Sequence, residues 1–209
     1  MSVDEVFRWI FVAILVAFLP FGMYHRIRSN IGRERLDRWQ EGTFILFGLR
    51  LSGIPWLLGV VAWMIDPQNM DWASLPLPLW LRWSGFVFIA VWGGLFVWTF
   101  QTLGKNLTDT VVTRKDHTLV TSGPYRYVRH PFYTSAFFAV LGGAIVTANW
   151  YLFVMSLLPC VFLIARTPIE EAKLVERFGD EYRIYMAKTG RFLPHIIATS
   201  SMPISHSRQ

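Results

Sequence analysis

One cysteine, Cys160, is all that the 209-residue chain contains. No intrachain disulfide and no cluster of thiolate metal ligands can therefore form. Charge is scarce as well: Asp, Glu, Lys and Arg make up 16% of the sequence, against about 25% in an ordinary soluble domain. Acidic residues are the scarcer sign, 14 against 20 Lys and Arg, leaving a formal charge of +6. Three motifs are missing. No GxGxxG fingerprint follows a strand-like segment, and neither a GxSxG elbow nor an HExxH pair occurs, so dinucleotide binding of the soluble type, elbow hydrolases and zinc peptidases have no support. Repeats and low-complexity tracts are absent too.

What fills the chain instead is apolar bulk: 53% hydrophobic residues, with 10 Trp and 17 Phe. Three runs carry a single charge each, namely 6–24 with Arg8, 43–65 with Arg50 and 79–101 with Arg82. Each is close to the roughly 20 residues that cross a hydrocarbon core. Two shorter uncharged runs follow, 132–147 and 151–165, separated only by Ala148 to Trp150, which reads as a tight helical hairpin. The expected fold is an all-α membrane protein of five transmembrane helices, the last two a short hairpin. The first run carries Asp4 and Glu5 where a signal peptide has basic residues, so it reads as a span rather than a cleaved leader.

The basic residues alternate with the spans. Five arginines lie in 25–38, none of Lys or Arg in 66–78, and Lys105, Arg114, Lys115, Arg126 and Arg129 in 102–131. Arg166, Lys173, Arg177, Arg183, Lys188 and Arg191 follow the last run. By the positive-inside rule the N-terminus is outside, and the long loop and C-terminus are cytoplasmic. The net charge is thus loop bias, with the lipid bilayer as partner and no nucleic acid. We expect one membrane domain over 1–209: three spans in 1–101, a catalytic region in 102–194, and a disordered polar tail in 195–209. The long cytoplasmic loop, 102–131, reads as short strands or an irregular lobe, and 168–188 as helix broken at Gly179.

Chemistry concentrates in two places. The first is GPYRYVRHPFYTS, residues 123–135. Pro131 suits the first turn of a helix, where its missing N–H is no loss, and pushes His130 towards extended backbone. Arg129 and His130 then stand at the positive end of a helix dipole, a site that attracts carboxylates and phosphates. Tyr125, Tyr127 and Tyr133 add ring faces and hydroxyls. Each of these residues alone also reads as an interfacial anchor. The second place is ARTPIEEAKLVERFG, residues 165–179. Thr167-Pro168-Ile169-Glu170 fits a capping box, which would make Glu170 structural. Glu171 is not explained that way, and the adjacent carboxylates could instead hold an amino group. No metal site is expected, since neither His nor Cys is near in sequence. Arg50, seven residues into its run, either snorkels or lines a pocket. His117 precedes the TLVTSG turn, in reach of a ligand bound there; His25 and His195 read as interfacial, and His206 as tail.

The order HTLVTSGPYRYVRHPFY, an apolar hairpin, Arg166, Glu170-Glu171 and LVERFGDEYRIYMAKTGRFLP resembles the isoprenylcysteine carboxyl methyltransferase family. Its prokaryotic members and the related phospholipid methyltransferases share this C-terminal half. The resemblance covers roughly residues 101–194. It implies a cytoplasm-facing pocket for S-adenosylmethionine, roofed by Leu119 to Tyr125 and the C-terminal helix. Within it, Leu119 and Val120 would offer main-chain groups to the adenine, with His117, Gly123 and Tyr125 alongside. Arg129, His130, Pro131 and Tyr133 would shape the pocket, and Glu170 or Glu171 would receive the cofactor's ammonium. Arg166 would position the acceptor and act with Glu170 in catalysis; Arg50, outside the resemblance, is a candidate substrate residue from its place in the second run alone. The acceptor would be lipophilic, possible types being a prenylcysteine carboxylate, a phospholipid amine, a thiol or an isoprenoid acid; no obligate protein partner is implied. Two other readings compete: an NADPH-dependent sterol-type reductase with a similar C-terminal half, and a scaffold whose basic loops bind anionic lipid.

Overall fold

The computed structural model describes residues 2–30, 43–104 and 118–195. Six α-helices follow in order: α1 (Val3–Asn30), α2 (Thr43–Ile65), α3 (Leu79–Leu103), α4 (Pro131–Thr147), α5 (Trp150–Phe178) and α6 (Asp180–Lys188), with 3₁₀ turns at Pro67–Ala73 and Gly123–Arg126. Among the described residues there is no strand, only two isolated bridges, Ser74 with Asn149 and Val128 with Gly190. Among the described residues four helices have the length and composition to cross a membrane: α1 (over Val3–Tyr24), α2, α3 and α5. The apolar α4 is shorter, 17 residues, or about 25 Å at 1.5 Å per residue. Large apolar side chains point outward along the long helices, among them Phe44, Leu58, Trp80 and Val161, as hydrocarbon requires and water would not permit on this scale.

The second arm of the hairpin is not short. The sequence places its end near residue 165, where the apolar run stops, but α5 continues for 29 residues without a break. The capping box at Thr167 therefore does not form. Thr167 is buried, and its Oγ1 donates to the carbonyl of Leu163, 2.9 Å away, as a mid-helix threonine does. The true start of α5 is Asn149, whose side chain accepts from the N–H of Leu152 at 3.0 Å and donates to the carbonyl of Met70 at 3.0 Å. Tertiary packing overrides a local start signal, Pro168 included. The breaks at Gly179, with φ of 57°, and at Pro131 fall where the sequence puts them.

Contacts between helix ends show that successive helices run in alternating directions. At one end, the hairpin end, Arg82 at the start of α3 lies 2.8 Å from Asp4 at the start of α1. Its Nε donates to the carbonyl of Val146 at the close of α4, and its guanidinium covers the Phe7 ring at 4.3 Å. Arg8 donates to Ile65, the last residue of α2. Ala148, the one described non-glycine residue at positive φ, turns the hairpin there. The buried apolar core also belongs to this half, built from Phe7, Phe11, Val60, Trp63, Ile89, Val146 and Leu152.

Helices α3 and α4 approach closest where two glycines face each other. A Cβ on Gly85 would lie 2.7 Å from the carbonyl oxygen of Gly142, and one on Gly142 would lie 2.8 Å from that of Gly85. Small residues let backbones meet in this way inside membranes. Gly85→Ala should lower the unfolding free energy by about 1–3 kcal/mol through overpacking. Gly94→Ala, where nothing lies within 4 Å, should not lower it; unfolding of the two variants in detergent checks the contrast.

Candidate functional site

The opposite end gathers the ends of α3 and α5, the start of α4, α6 and the loop that precedes α4. The loop lies close on α3 because Gly123 has φ of 58° and no side chain: a Cβ there would meet Thr102 Oγ1 at 2.7 Å. His130 is the N-cap residue of α4, at φ −122° and ψ 59°, with Pro131 first in the helix. After α6 the chain turns back, and residues 189–192 form a strap against the loop. Arg129 N–H donates to Gly190 O at 2.9 Å and His130 N–H to Arg191 O at 3.0 Å. Thr134 Oγ1 donates to Phe192 O at 2.8 Å. A Cβ on Gly190 would collide with the carbonyl of Leu193, so only glycine fits this turn.

Between strap and loop lies the Glu171 carboxylate, 5% exposed. One oxygen accepts from Arg129 Nε at 2.8 Å and from Arg191 Nε at 3.3 Å, with His130 Nε2 also 3.3 Å away. The other accepts from Arg191 Nη2 at 2.5 Å. Arg129 is itself spent on this frame, since its Nη1 donates to the carbonyls of Met186, at 2.9 Å, and of Thr189. One buried carboxylate thus ties α5, the loop and the strap together.

Glu170 is placed differently. It accepts a 2.6 Å hydrogen bond from the Tyr133 hydroxyl, lies 4.0 Å from His130 Nδ1 and stays 26% exposed. The His130 and Tyr133 rings stack, 5.3 Å apart and 6° from parallel. Arg166, buried, stands one turn before Glu170 on α5. Tyr185 donates to the carbonyl of Tyr125 at 2.6 Å, fixing the loop on α6. Burial, and next the Glu170 charge, pushes the Tyr125 phenol well up. Burial likewise raises Tyr185 to about 12, against the opposing effects of its Thr189 hydrogen bond and of Arg129. Both phenols are therefore neutral at physiological pH and can donate.

The structure brings Arg129, His130, Tyr133, Glu170 and Glu171 into one network. Leu119, Val120, Gly123 and Tyr125 lie part-buried in the loop beside it. Arg50 is exposed on α2, outside this network, and Tyr127 is 54% exposed. His117 lies outside the described residues. No group of three or more His, Cys, Asp or Glu among the described residues could hold a metal. Sequence reasoning gave no role to Arg191 or Thr189; the Gly between them, in TGRF after a helix, is the local signal of a tight return.

Removing the carboxylate at 171 would strand the buried Arg129 guanidinium. Glu171→Ala should cost about 3–5 kcal/mol, the usual effect of breaking a buried pair. Glu170→Ala should cost under about 1 kcal/mol, a difference that thermal unfolding in detergent will read directly.

The model of the isoprenylcysteine carboxyl methyltransferase (ICMT) family matches residues 85–176, a stretch that holds most of this network. Protein-S-isoprenylcysteine O-methyltransferase of Mus musculus is 33% identical over 132 residues, 62% of this chain and 47% of the mouse protein. The chain therefore spans about half the length of the mammalian relatives it matches. Methanethiol S-methyltransferase of Pseudomonas deceptionensis is 25% identical over 201 residues, 88% of this chain and 74% of that protein. The solved structure of the eukaryotic intramembrane Ras methyltransferase ICMT superposes with a TM-score of 0.53 at 21% identity, covering 84% of this chain and 64% of that one; at that identity it speaks for the fold. The matched stretch runs from α3 through the Glu170-Glu171 pair on α5, and over it this chain is similar to the isoprenylcysteine carboxyl methyltransferase family.

Proposed function

We propose that the chain transfers a methyl group from S-adenosylmethionine to a lipophilic acceptor at the membrane face. The observation that carries this reading is the contrast between the two glutamates. Glu171 is consumed by Arg129 and Arg191, whereas Glu170 keeps a part-exposed carboxylate beside a stacked pair of rings. A carboxylate next to ring faces suits a cation, and the donor carries an ammonium and a sulfonium. The first turn of α4, opened by Pro131 without a side-chain cap, offers a positive dipole end to the donor's carboxylate. The residues present therefore fit the group: Glu170, Tyr133 and His130 would hold its amino acid part, and Leu119, Val120, Gly123 and Tyr125 would lie along its adenosine.

The donor supplies an electrophilic methyl carbon, so the protein's own task is alignment. Correct placement of two reactants is worth about 7–11 kcal/mol. Arg166, a buried cation one turn from Glu170, would orient an anionic acceptor, either a carboxylate giving a methyl ester or a thiolate giving a thioether. An acceptor of that kind needs no general base. The two kinds of relative named above act, by their names, on an isoprenylcysteine and on methanethiol, and an isoprenylcysteine-type carboxylate fits an apolar bundle with a cation at its mouth. The same reading takes α4 as a fifth crossing, with the N-terminus outside, and takes residues 102–194 as the catalytic region.

Calorimetric titration of detergent-purified protein with S-adenosylhomocysteine and, separately, with NADPH tests the donor. Saturable binding of the first and none of the second is expected. Glu170→Gln should weaken that binding at least tenfold, about 1.4 kcal/mol, with an unfolding midpoint close to the parent's. Unchanged affinity would remove Glu170 from the site, and binding of NADPH alone would overturn the methyltransferase reading.

A further inference from the structure

Arg191 is the one member of the Glu171 network with a largely accessible side chain, 43% exposed against 9% for Arg129 and 5% for His130. Glu171 already has a buried cationic partner in Arg129. A second, exposed arginine is not needed to neutralise that carboxylate, and ordering its long side chain has an entropic cost. Its geometry gives it another use. The Arg191 carbonyl accepts from the His130 N–H at 3.0 Å. Its guanidinium holds both oxygens of Glu171, and Glu171 in turn meets His130 Nε2. Arg191 therefore grips His130 twice, once through the backbone and once through Glu171, in a closed ring of contacts. His130 stacks on Tyr133, and Tyr133 donates to Glu170. Arg191 stands at the head of a chain of contacts that ends on the open carboxylate.

We propose that Arg191 is a positioning residue, a latch from the C-terminal strap that orients His130, Tyr133 and Glu170 for the donor without touching it. The proposal rests on the donor reading above. Without the guanidinium, the second oxygen of Glu171 loses its hydrogen-bond donor, the carboxylate is held through Arg129 alone, and the contact that orients His130 Nε2 is less firmly placed. The stack on Tyr133, and with it the aim of Glu170, then loosens. A lysine at 191 supplies charge but not the two-pronged grip on both oxygens, so it should restore the function in part.

The test is titration of S-adenosylhomocysteine into wild type, R191Q, R191K, E171Q and the R191Q/E171Q double variant, each with its unfolding midpoint. R191Q should bind about tenfold more weakly, as loss of a charge-assisted hydrogen bond would give, with R191K in between. Because Arg191 acts through Glu171, adding R191Q to E171Q should cost less than about twofold more, the non-additivity of coupled residues. R191Q binding within twofold of wild type overturns the latch. Full additivity with E171Q overturns it too, since it would mean that Arg191 meets the ligand directly. Should R191Q or the double variant not fold, R191K decides alone: an affinity equal to wild type rejects the latch, and a loss of threefold or more at an unchanged midpoint supports it. If the wild type itself does not bind, the donor reading fails and the latch falls with it, a result distinct from wild-type binding with an indifferent Arg191.

Discussion

The Glu171 carboxylate is the point on which this end of the molecule depends. A lone carboxylate at 5% exposure would be costly, and each cation around it would be costly without it. Its two arginines come from places far apart in sequence, 42 residues upstream on the loop and 20 downstream on the strap. The pairing therefore closes a long segment of chain around α5. Arg129 carries the frame further by bonding the carbonyls of Met186 and Thr189, which lie at the end of α6 and beyond, where helix carbonyls have no partners of their own. One ion cluster thus does what a small hydrophobic core does elsewhere. It does so beside a few buried apolar and aromatic side chains, Phe100, Val128, Tyr182 and Tyr185.

The two ends of the bundle are held by different means. At the hairpin end a cluster of Phe, Trp, Val and Leu side chains is buried, and Arg82 pins three helices through Asp4, Val146 and Phe7. Towards the other end the long helices have few buried residues: α5 has none between Ser156 and Arg166, and α2, among the residues whose burial is described, only Ser52 before Gly59. Packing there relies on local fits such as the Phe162 ring against Gly48.

Much of this architecture is legible in the sequence, and the reasons differ by element. The charge-poor runs mark the long helices because a membrane interior penalises charge wherever it falls. Pro131 and Gly179 mark a start and a break because each restricts or frees its own backbone. Thr167-Pro168-Ile169-Glu170 misleads because the same four residues that begin an exposed helix can continue one that neighbours already hold. The Arg82 contacts leave no local trace and the Arg191 latch only the glycine of its turn, since each joins residues distant in the chain and depends on which helix ends the fold brings together. The glutamate pair shows the same limit: two identical neighbours differ in role only through partners that the spacing does not reveal.

That difference is also the argument for the chemistry. Adjacent residues on a helix point about 100° apart, so Glu170 and Glu171 cannot share one environment. Glu171 turns to the cations of loop and strap, and Glu170 turns to Tyr133 and His130. Had both carboxylates been paired with arginine, the cluster would be a staple and nothing more. Had neither been paired, two like charges would repel within a buried site. With one carboxylate held by two arginines, the other accepts from Tyr133 and stays 26% exposed, one turn from the buried Arg166. On the proposed reading, Glu170 would receive the donor's cation and Arg166 the acceptor's anion, and methyl transfer to an anionic acceptor needs both.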